Sequence, residues 1–243
     1  MQRYFIKERI TDEITIRDAN QVHHIRNVMR RQKGDQAVVC DDQGHCFYMK
    51  IERIESDSVV FSKGQALPKL NRKFHVTLAQ SLIRKDHFEL ACQKATELGV
   101  DTIIPIETER TIIKLKDPQV EKKLTRWQAI AQEASEQSQR NTVSKIAPLM
   151  HLSALDFSLY DTVLVAYENE KTVTLKTALS VVNKDSKLLL IVGPEGGFTA
   201  AEIAFLERHG AQTVSLGPRI LRSETAAIYL LCALSYELEM NRS

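Results

Sequence analysis

Residues 188–199 read Leu-Leu-Leu-Ile-Val-Gly-Pro-Glu-Gly-Gly-Phe-Thr, and this stretch decides the fold class of the chain. Its five apolar residues predict a buried strand, and the three glycines and one proline predict a sharp turn whose backbone amides can bind a ligand. The turn lacks both the Gly-Lys-Ser/Thr of a phosphate loop and the G-x-G-x-x-G spacing of a dinucleotide site. We therefore expect a binding loop of another kind at the carboxyl end of a strand.

A second turn follows at residues 216–226, which read Leu-Gly-Pro-Arg-Ile-Leu-Arg-Ser-Glu-Thr-Ala. It leads from a predicted strand into the C-terminal helix. Ile220 and Leu221 fit neither a helix face nor a strand face, so they are candidates to enclose a flat ring such as adenine. The alternative is a loop in which both side chains fill the core.

Strands and helices alternate from residue 74 onward. Apolar periodicity predicts strands at 74–80, 102–107, 161–167, 187–192 and 213–216, and helices at 86–98, 118–139, 173–181, 200–208 and 224–240. Capping boxes are predicted at Asp86 with Glu89 and at Thr199 with Glu202. The alternation predicts an α/β fold with a mainly parallel sheet, whose ligands bind at the carboxyl ends of the strands.

The N-terminal part has a different pattern. Short apolar runs at 4–6, 37–40, 47–51 and 58–61 predict a small β-barrel, and residues 67–73 have the composition of a linker. We therefore expect a barrel domain at 1–70 and an α/β domain at 74–243. Residues 1–73 carry 14 Lys and Arg against 10 Asp and Glu, whereas residues 74–243 carry 19 against 21. The basic excess suits a surface that binds phosphate backbones, and an ordinary solvated surface is the equal alternative.

The composition and the spacing of the cysteines limit the kinds of protein that this chain can be. Of the 243 residues, 43% are hydrophobic and 26% are charged, as in ordinary globular proteins. The sequence has no run of eighteen apolar residues and no signal-peptide pattern, so we expect a cytoplasmic protein without a membrane partner. The four cysteines lack zinc spacing, which predicts reduced thiols and no metal.

Both turns resemble those of the RsmE family of 16S ribosomal RNA (uracil-N3)-methyltransferases, which belongs to the SPOUT superfamily. Three further segments are similar to that family in the same order: residues 23–30 (His-His-Ile-Arg-Asn-Val-Met-Arg), 93–100 (Gln-Lys-Ala-Thr-Glu-Leu-Gly-Val) and 133–140 (Glu-Ala-Ser-Glu-Gln-Ser-Gln-Arg). The resemblance implies a PUA-like β-barrel that binds RNA, followed by a SPOUT-type parallel sheet with a C-terminal trefoil knot. Periodicity alone predicts an unknotted doubly wound sheet instead.

The resemblance also implies an activity and partners. It implies S-adenosylmethionine (S-adenosyl-L-methionine) as the cofactor, methylation of uridine N3 in 16S ribosomal RNA within the assembled small ribosomal subunit, and a homodimer. The cofactor-binding positions that it implies are Tyr167, Glu168, Gly193, Glu195, Gly197, Leu216, Gly217, Ile220 and Leu221. For Glu195, capping of the following helix is the alternative.

The chemistry of uridine restricts the catalytic residues. Uridine N3 is a poor nucleophile until its proton leaves, so the site needs a proton acceptor or cations near the ring oxygens. Arg222 and Arg140 are the candidate cations, and Glu224 or Glu136 is the candidate acceptor. Glu224 begins a predicted helix and Arg140 ends one, so both charges are also favourable there without catalysis.

The basic barrel is expected to bind RNA phosphates through Arg3, Arg9, Arg26, Arg30 and Arg31. Two other functions stay open at this point. One is a non-catalytic RNA-binding or ribosome-assembly factor of the same fold, which the intact turns disfavour. The other is an α/β enzyme that acts on a small nucleotide, which the missing phosphate and dinucleotide motifs disfavour.

Overall fold

The computed structural model of the chain describes residues 1–69, 72–84, 86–183 and 185–240. The chain divides into two compact units: the first comprises Met1–Asn71 with Ser135–Val143, and the second comprises Arg72–Ala134 with Ser144–Ser243. The expected boundary at residue 70 and the chain end at 241–243 lie outside the described residues. Residues 135–143, which we expected in the α/β domain, belong to the first unit.

The first unit is built on one sheet. Its strands are β1 (Arg3–Phe5), β2 (Glu13–Ile16), β3 (Gln36–Cys40), β4 (Cys46–Ile54) and β5 (Val59–Ala66). They pair in the order β1-β3-β4-β5-β2, parallel between β1 and β3 and antiparallel elsewhere. A helix, α1 (Ala19–His23), continues as a π-helix over His24–Val28. Neither β2 nor α1 was predicted from the sequence, because both are too short for a clear periodicity.

Irregularities in β4 curl this sheet into a half-barrel. The register between β4 and β5 shifts between Phe47 and Met49 and again between Ile51 and Arg53. Such bulges bend a strand and increase its twist. The strands β1 and β2 lie at the two ends of the strand order, so the sheet of the described residues does not close into the full barrel that we expected.

Two cysteines of this sheet are bonded to each other. Cys40 and Cys46 form a disulfide, because the antiparallel register of β3 and β4 places them directly opposite each other with their Cα atoms 4.1 Å apart. The prediction of reduced thiols is wrong for this pair. Cys92 and Cys232 are free thiols.

Arg3 is buried in the first unit, and its side chain binds other residues of that unit. It is only 4% exposed. Its guanidinium donates to the main-chain oxygen of Arg140 at 2.5 Å and to Asn141 Oδ1 at 3.1 Å. Burial lowers the pKa of this guanidinium. The prediction that Arg3 contacts RNA phosphates is therefore wrong, because its charge is used inside the unit to hold residues 140–141.

Arg3→Ala is expected to destabilise the first unit by about 2 kcal/mol, because it leaves two partly buried oxygens without their donor. Urea unfolding followed by circular dichroism measures the change. Arg9→Ala removes an exposed arginine of the same unit, and its effect should stay within about 0.5 kcal/mol. Equal stability of the two variants would show that the Arg3 contacts contribute nothing.

The second unit contains a parallel sheet with helices. Its strands are β6 (His75–Ser81), β7 (Thr102–Glu107), β8 (Lys145–Ile146), β9 (Met150–His151), β10 (Thr162–Ala166), β11 (Lys187–Val192) and β12 (Gln212–Val214). Its helices are α2 (His87–Glu97), α3 (Asp117–Gln137, of which the residues from Ser135 onward belong to the first unit), α4 (Leu175–Ser180), α5 (Ala200–Arg208) and α6 (Ser223–Ser235), which continues as a π-helix over Tyr236–Met240. The strands pair in the order β12-β10-β11-β6-β7-β8, with β9 also on β7, and these pairings are parallel. The prediction of an α/β fold with a parallel sheet is confirmed.

Helices pack on both faces of this sheet. Ala227, Leu230, Leu231 and Leu234 of α6 are buried in one core cluster, which also contains Phe88 and Trp127. On the other face, Ile203 and Leu206 of α5 are buried. The predicted capping box of Thr199 and Glu202 is present.

The capping box expected at the start of α2 is absent. The Asp86 side chain makes no capping hydrogen bond. Glu89 instead lies 2.7 Å from Arg126 Nη2 and 3.5 Å from Lys123 Nζ, both on α3. An ion pair between two helices has replaced the local contact that the sequence spacing suggested.

No helix in the described part of the chain combines the length and the apolar character that a membrane crossing requires. The same residues contain no cluster of three His, Cys, Asp or Glu side chains that could hold a metal ion. The trefoil knot stays a prediction.

Candidate functional site

A cavity of about 840 Å³ opens at the carboxyl ends of β10, β11 and β12. This is the edge at which parallel α/β sheets bind ligands, and the volume suits a nucleoside-sized molecule. The cavity is lined by the turn after β11, the loop after β12 and the loop after β10. Every expected cofactor-binding position lies in its wall: Tyr167, Glu168, Gly193, Glu195, Gly197, Leu216, Gly217, Ile220 and Leu221.

The turn after β11 requires glycine at two positions. Gly197 has a φ of +66°, and a Cβ atom there would lie 2.5 Å from Glu168 Oε1. At Gly193, a Cβ atom would lie 3.0 Å from the ring of Phe198, which is buried. The main chain of this turn is therefore left uncovered where it lines the cavity.

Hydrogen bonds hold this turn against its neighbours. Ser223 Oγ donates to the main-chain oxygen of Gly193 at 2.6 Å and accepts from Gln80 Nε2 at 2.8 Å. Glu195 Oε1 accepts from the main-chain amide of Arg84 at 2.9 Å. The Glu195 carboxylate thus binds the loop after β6, whereas Thr199 caps the following helix.

The loop after β12 supplies apolar surface. Gly217 has a φ of +108°, which glycine adopts without strain. Leu216 and Leu221 are half-buried and pack against the core, but Ile220 is 87% exposed. The alternative in which Ile220 and Leu221 both fill the core is wrong for Ile220, whose side chain lies free in the wall of the cavity.

One carboxylate fixes the loop after β10. Glu170 Oε1 accepts from the main-chain amides of Thr172 at 2.7 Å and Val173 at 3.0 Å, and Glu170 Oε2 accepts from Thr213 Oγ1 at 2.8 Å. These hydrogen bonds, above all the one from the Thr172 hydroxyl, lower the pKa of Glu170 to about 2. Glu170 thereby shapes the loop that carries Glu168 into the wall of the cavity.

Comparison with known proteins identifies the family. Residues 70–235 match the RNA methyltransferase domain, and residues 16–63 match the PUA domain of RNA methyltransferases. The chain is 37% identical over 258 aligned residues to ribosomal RNA small subunit methyltransferase E of Bacillus subtilis, covering 100% of this chain and 99% of that protein. The chain belongs to the methyltransferase E family.

Two solved structures extend this result. Methyltransferase E of Neisseria gonorrhoeae, bound to S-adenosyl methionine, is 28% identical with a TM-score of 0.84 and covers 97% of each chain. A Legionella pneumophila protein described as a methyltransferase, with bound cofactor, is 28% identical with a TM-score of 0.84 and covers 96% of each chain. The family implied by the sequence resemblance is confirmed, together with its PUA-like and methyltransferase domains.

Two of the four catalytic candidates of this methyltransferase line the cavity. Arg222 is the N-cap residue of α6 and is exposed, while Glu224 is buried in the first turn of that helix. Arg140 belongs to the first unit and is not among the described residues that line the cavity. Glu136 is in the first unit as well, where it accepts from Gln2 Nε2 at 3.4 Å.

Arg84 and His87 of this methyltransferase also line the cavity, although neither was predicted from the sequence as a site residue. Both lie between β6 and the first turn of α2, at the same edge of the sheet as the turn after β11. Their position directly after a predicted strand was the sequence feature that could have indicated a place in the binding site. Residues 82–84, which end at Arg84, contain no glycine, so their composition does not indicate a binding turn.

Glu170→Gln is expected to raise the Kd for S-adenosylmethionine about tenfold at pH 7, because the neutral amide loses the charge-assisted hydrogen bonds that shape the loop. Since the pKa of Glu170 is lowered to about 2, its contribution to stability is complete above about pH 4.5 and is lost as the pH falls towards 2. Calorimetry measures the affinity. Glu207→Gln, on the exposed side of α5, is the control and should bind normally.

Proposed function

We propose that this protein transfers a methyl group from S-adenosylmethionine to N3 of a uridine in 16S ribosomal RNA, with the assembled small ribosomal subunit as substrate. The observation that carries the proposal is the single cavity in which the glycine turn, the apolar loop and Arg222 meet. Membership in the methyltransferase E family supports the ribosomal substrate. The two relatives solved with the cofactor support its identity.

The wall of the cavity fits such a cofactor, and we assign all nine wall positions named above to it. The apolar side chains of Leu216, Ile220 and Leu221 suit a flat adenine ring. The uncovered main chain at 193–197 offers polar groups to the ribose and the amino acid part. Glu168 supplies a negative charge beside this turn for a cationic ligand.

The bound cofactor supplies an electrophilic methyl group on a sulfonium. Uridine N3 loses its proton to water, its electron pair forms the bond to the methyl carbon, and the pair of the broken C–S bond stays on sulfur. Negative charge gathers on the ring oxygens as the proton leaves, so a cation beside them lowers the barrier. We assign this role to Arg222, whose side chain makes no capping hydrogen bond on α6.

The proposed RNA contacts of the first unit are four arginines. Arg9, Arg26 and Arg30 are exposed and Arg31 is half-buried. Arg26 Nη1 donates to the main-chain oxygen of Ser56 at 2.5 Å, which orients its side chain. The match of residues 16–63 to the PUA domain of RNA methyltransferases supports the assignment.

A homodimer is part of the proposal, because the C-terminal helical segment exposes apolar side chains away from the core. Tyr229, Tyr236 and Met240 are 45%, 62% and 70% exposed and share one helix face. An apolar stripe of this kind is typical of an interaction surface. Light scattering should give twice the chain mass of 27.6 kDa, and a monomer at micromolar concentration would contradict this part of the proposal.

Mass spectrometry of small-subunit RNA from cells with and without this protein tests the reaction. Its absence should remove one N3-methyluridine, and the purified protein should restore that modification on small subunits from the deficient cells. An unchanged modification pattern would overturn the proposal. A non-catalytic RNA-binding factor predicts no binding of S-adenosylmethionine in calorimetry, even at millimolar cofactor.

A further inference from the structure

Three arginines in the wall of the cavity have no carboxylate partner among the residues that the structure describes: Arg84 after β6, and Arg219 and Arg222 after β12. All three are exposed. The fourth cationic side chain of the wall is different, because Lys171 Nζ donates to the main-chain oxygen of Glu168 at 3.3 Å. The cavity therefore carries three guanidiniums whose charge these residues do not neutralise.

The three glutamates in the wall of the cavity lie against groups other than these guanidiniums. Glu195 Oε1 accepts from the main-chain amide of Arg84 at 2.9 Å, and Glu224 Oε1 lies 3.0 Å from His87 Nδ1. Glu168 lies beside the glycine turn, where we assigned its charge to a cationic ligand. The guanidiniums are thus left for a ligand.

The cofactor does not account for these arginines. S-adenosylmethionine carries an ammonium and a sulfonium against one carboxylate, so cations around the cavity repel it overall. A general basic surface does not account for them either, because residues 74–243 contain 19 Lys and Arg against 21 Asp and Glu. The arginines therefore suit a second ligand that is an anion.

The target nucleotide brings such an anion to the cavity. A base that reacts inside a protein cavity has to lie outside the base stack, so the backbone of its own nucleotide stays at the mouth of the cavity. That backbone has a phosphate on either side of the nucleotide. Since Arg222 is assigned to the ring oxygens of the base, Arg84 and Arg219 are the arginines left for the phosphates.

The sheet places Arg84 and Arg219 on opposite sides of the cavity. The strands that precede them, β6 and β12, have β10 and β11 between them in the strand order. At about 4.8 Å per strand, the ends of β6 and β12 lie roughly 14 Å apart. A nucleotide whose base enters between the two loops therefore has an arginine on each side of its backbone.

We propose that Arg84 and Arg219 bind the two backbone phosphates that flank the target uridine and so hold the nucleotide with its base in the cavity. The planar donors of a guanidinium match the oxygens of a phosphate. This inference rests on the function proposed above for the identity of the nucleotide. Both arginines are substrate-binding residues, and Arg222 keeps its role at the ring oxygens.

The salt dependence of substrate binding tests the two contacts. A cation that neutralises a phosphate releases counterions, so the logarithm of the affinity falls linearly with the logarithm of the salt concentration. Arg84→Gln and Arg219→Gln should each reduce this slope by about 0.7 for small subunits that lack the modification, and should raise the Kd about tenfold at low salt. Arg84→Lys and Arg219→Lys keep the charge and should keep the slope. Filter binding measures both quantities.

Arg208→Gln is the matched control, because Arg208 is exposed, lies near the end of α5 and does not line the cavity. Its slope and Kd should equal those of the wild type. An unchanged slope in Arg84→Gln or in Arg219→Gln, or an equal reduction in Arg208→Gln, would overturn the two phosphate contacts.

Calorimetry with S-adenosylmethionine separates these contacts from cofactor binding. The Kd for the cofactor should stay within about threefold in Arg84→Gln and Arg219→Gln, since neither side chain is assigned to it. A cofactor affinity at least tenfold weaker would show that the arginine binds the carboxylate of the cofactor, and would overturn its role at a phosphate.

Neutral linkages locate the contacts on the RNA. In small subunits whose RNA carries uncharged methylphosphonates on both sides of the target uridine, the slope of the wild type should fall to that of the double variant with Arg84→Gln and Arg219→Gln. The double variant should show no further fall, because the groups that its arginines would bind are gone. A wild-type slope that these linkages do not change would place the contacts elsewhere and overturn the proposal.

Binding and methylation are measured separately, so this inference and the proposed function fail in different ways. A wild-type protein that binds small subunits but makes no N3-methyluridine would remove the proposed function, while the slopes would still decide the phosphate contacts. A wild-type protein that makes this product while both Gln variants keep its slope would remove only the phosphate contacts.

Discussion

Arg222→Ala is expected to lower the methylation rate at least about a thousandfold while leaving the Kd for S-adenosylmethionine within a few-fold. Arg222 lies in the cavity wall at the start of α6, where its guanidinium can face the oxygens of the deprotonated uridine. Removing a single donor to a developing oxyanion costs two to three orders of magnitude in rate, and removing an arginine that neutralises transition-state charge costs more. Single-turnover kinetics on small subunits that lack the modification measures the effect.

Two further variants make the Arg222 experiment specific. Arg208→Ala removes an exposed arginine near the end of α5 and should leave the rate unchanged. Arg222→Lys keeps the charge but loses the planar double donor, so its rate should fall between those of the wild type and Arg222→Ala. An unchanged turnover of Arg222→Ala would remove this residue from the mechanism.

Gly197→Ala is expected to weaken the binding of S-adenosylmethionine about a hundredfold. A side chain at a φ of +66° carries a strain of about 1–2 kcal/mol. The added methyl group would also lie 2.5 Å from Glu168 Oε1, so the carboxylate would have to leave its place beside the turn. The turn of the free variant relieves both costs by moving out of this conformation, and binding must restore it, which accounts for most of the roughly 2.7 kcal/mol that a hundredfold loss requires. Calorimetry measures the affinity directly.

Gly210→Ala is the matched control for this substitution. Gly210 has a φ of +81°, and a Cβ atom there would meet no atom within 4 Å. It therefore has a similar backbone strain without a contact and lies outside the cavity wall. We expect it to lower the thermal stability of the second unit while leaving cofactor binding unchanged. Equal losses of affinity in the two variants would indicate that strain alone, and not the position beside Glu168, causes the effect.

The arginine candidates differ in how well the sequence indicated their positions in the structure. Arg222 stands next to a glycine turn at a strand end, and the topology of a parallel sheet brings such turns together. Arg140 and Arg3 were chosen for charge and for their segment, and these properties do not reveal which way a side chain is directed. In the structure, the Arg3 guanidinium binds the main chain of Arg140, so both residues take part in the packing of the first unit.

Local patterns that depend on a few neighbouring residues were also only partly predictive. The spacing of Thr199 and Glu202 produced a capping box, but the same spacing at Asp86 and Glu89 did not. The difference is the presence of Arg126 and Lys123 on a neighbouring helix, which attract the Glu89 carboxylate. A stronger long-range partner overrides a weak local preference, and the sequence around Glu89 contains no sign of it.

The amino-acid sequence by itself determined the alternation of strands and helices after residue 74 and the turns that lie at the strand ends. Periodicity, glycine and proline act over a few residues, so they can be recognised without knowing the fold. Only the tertiary structure decided that residues 135–143 join the first unit, that Cys40 faces Cys46, and that His87 meets Glu224. These contacts depend on strand register and on the order of strands in the sheet, which bring together residues that lie far apart in the sequence.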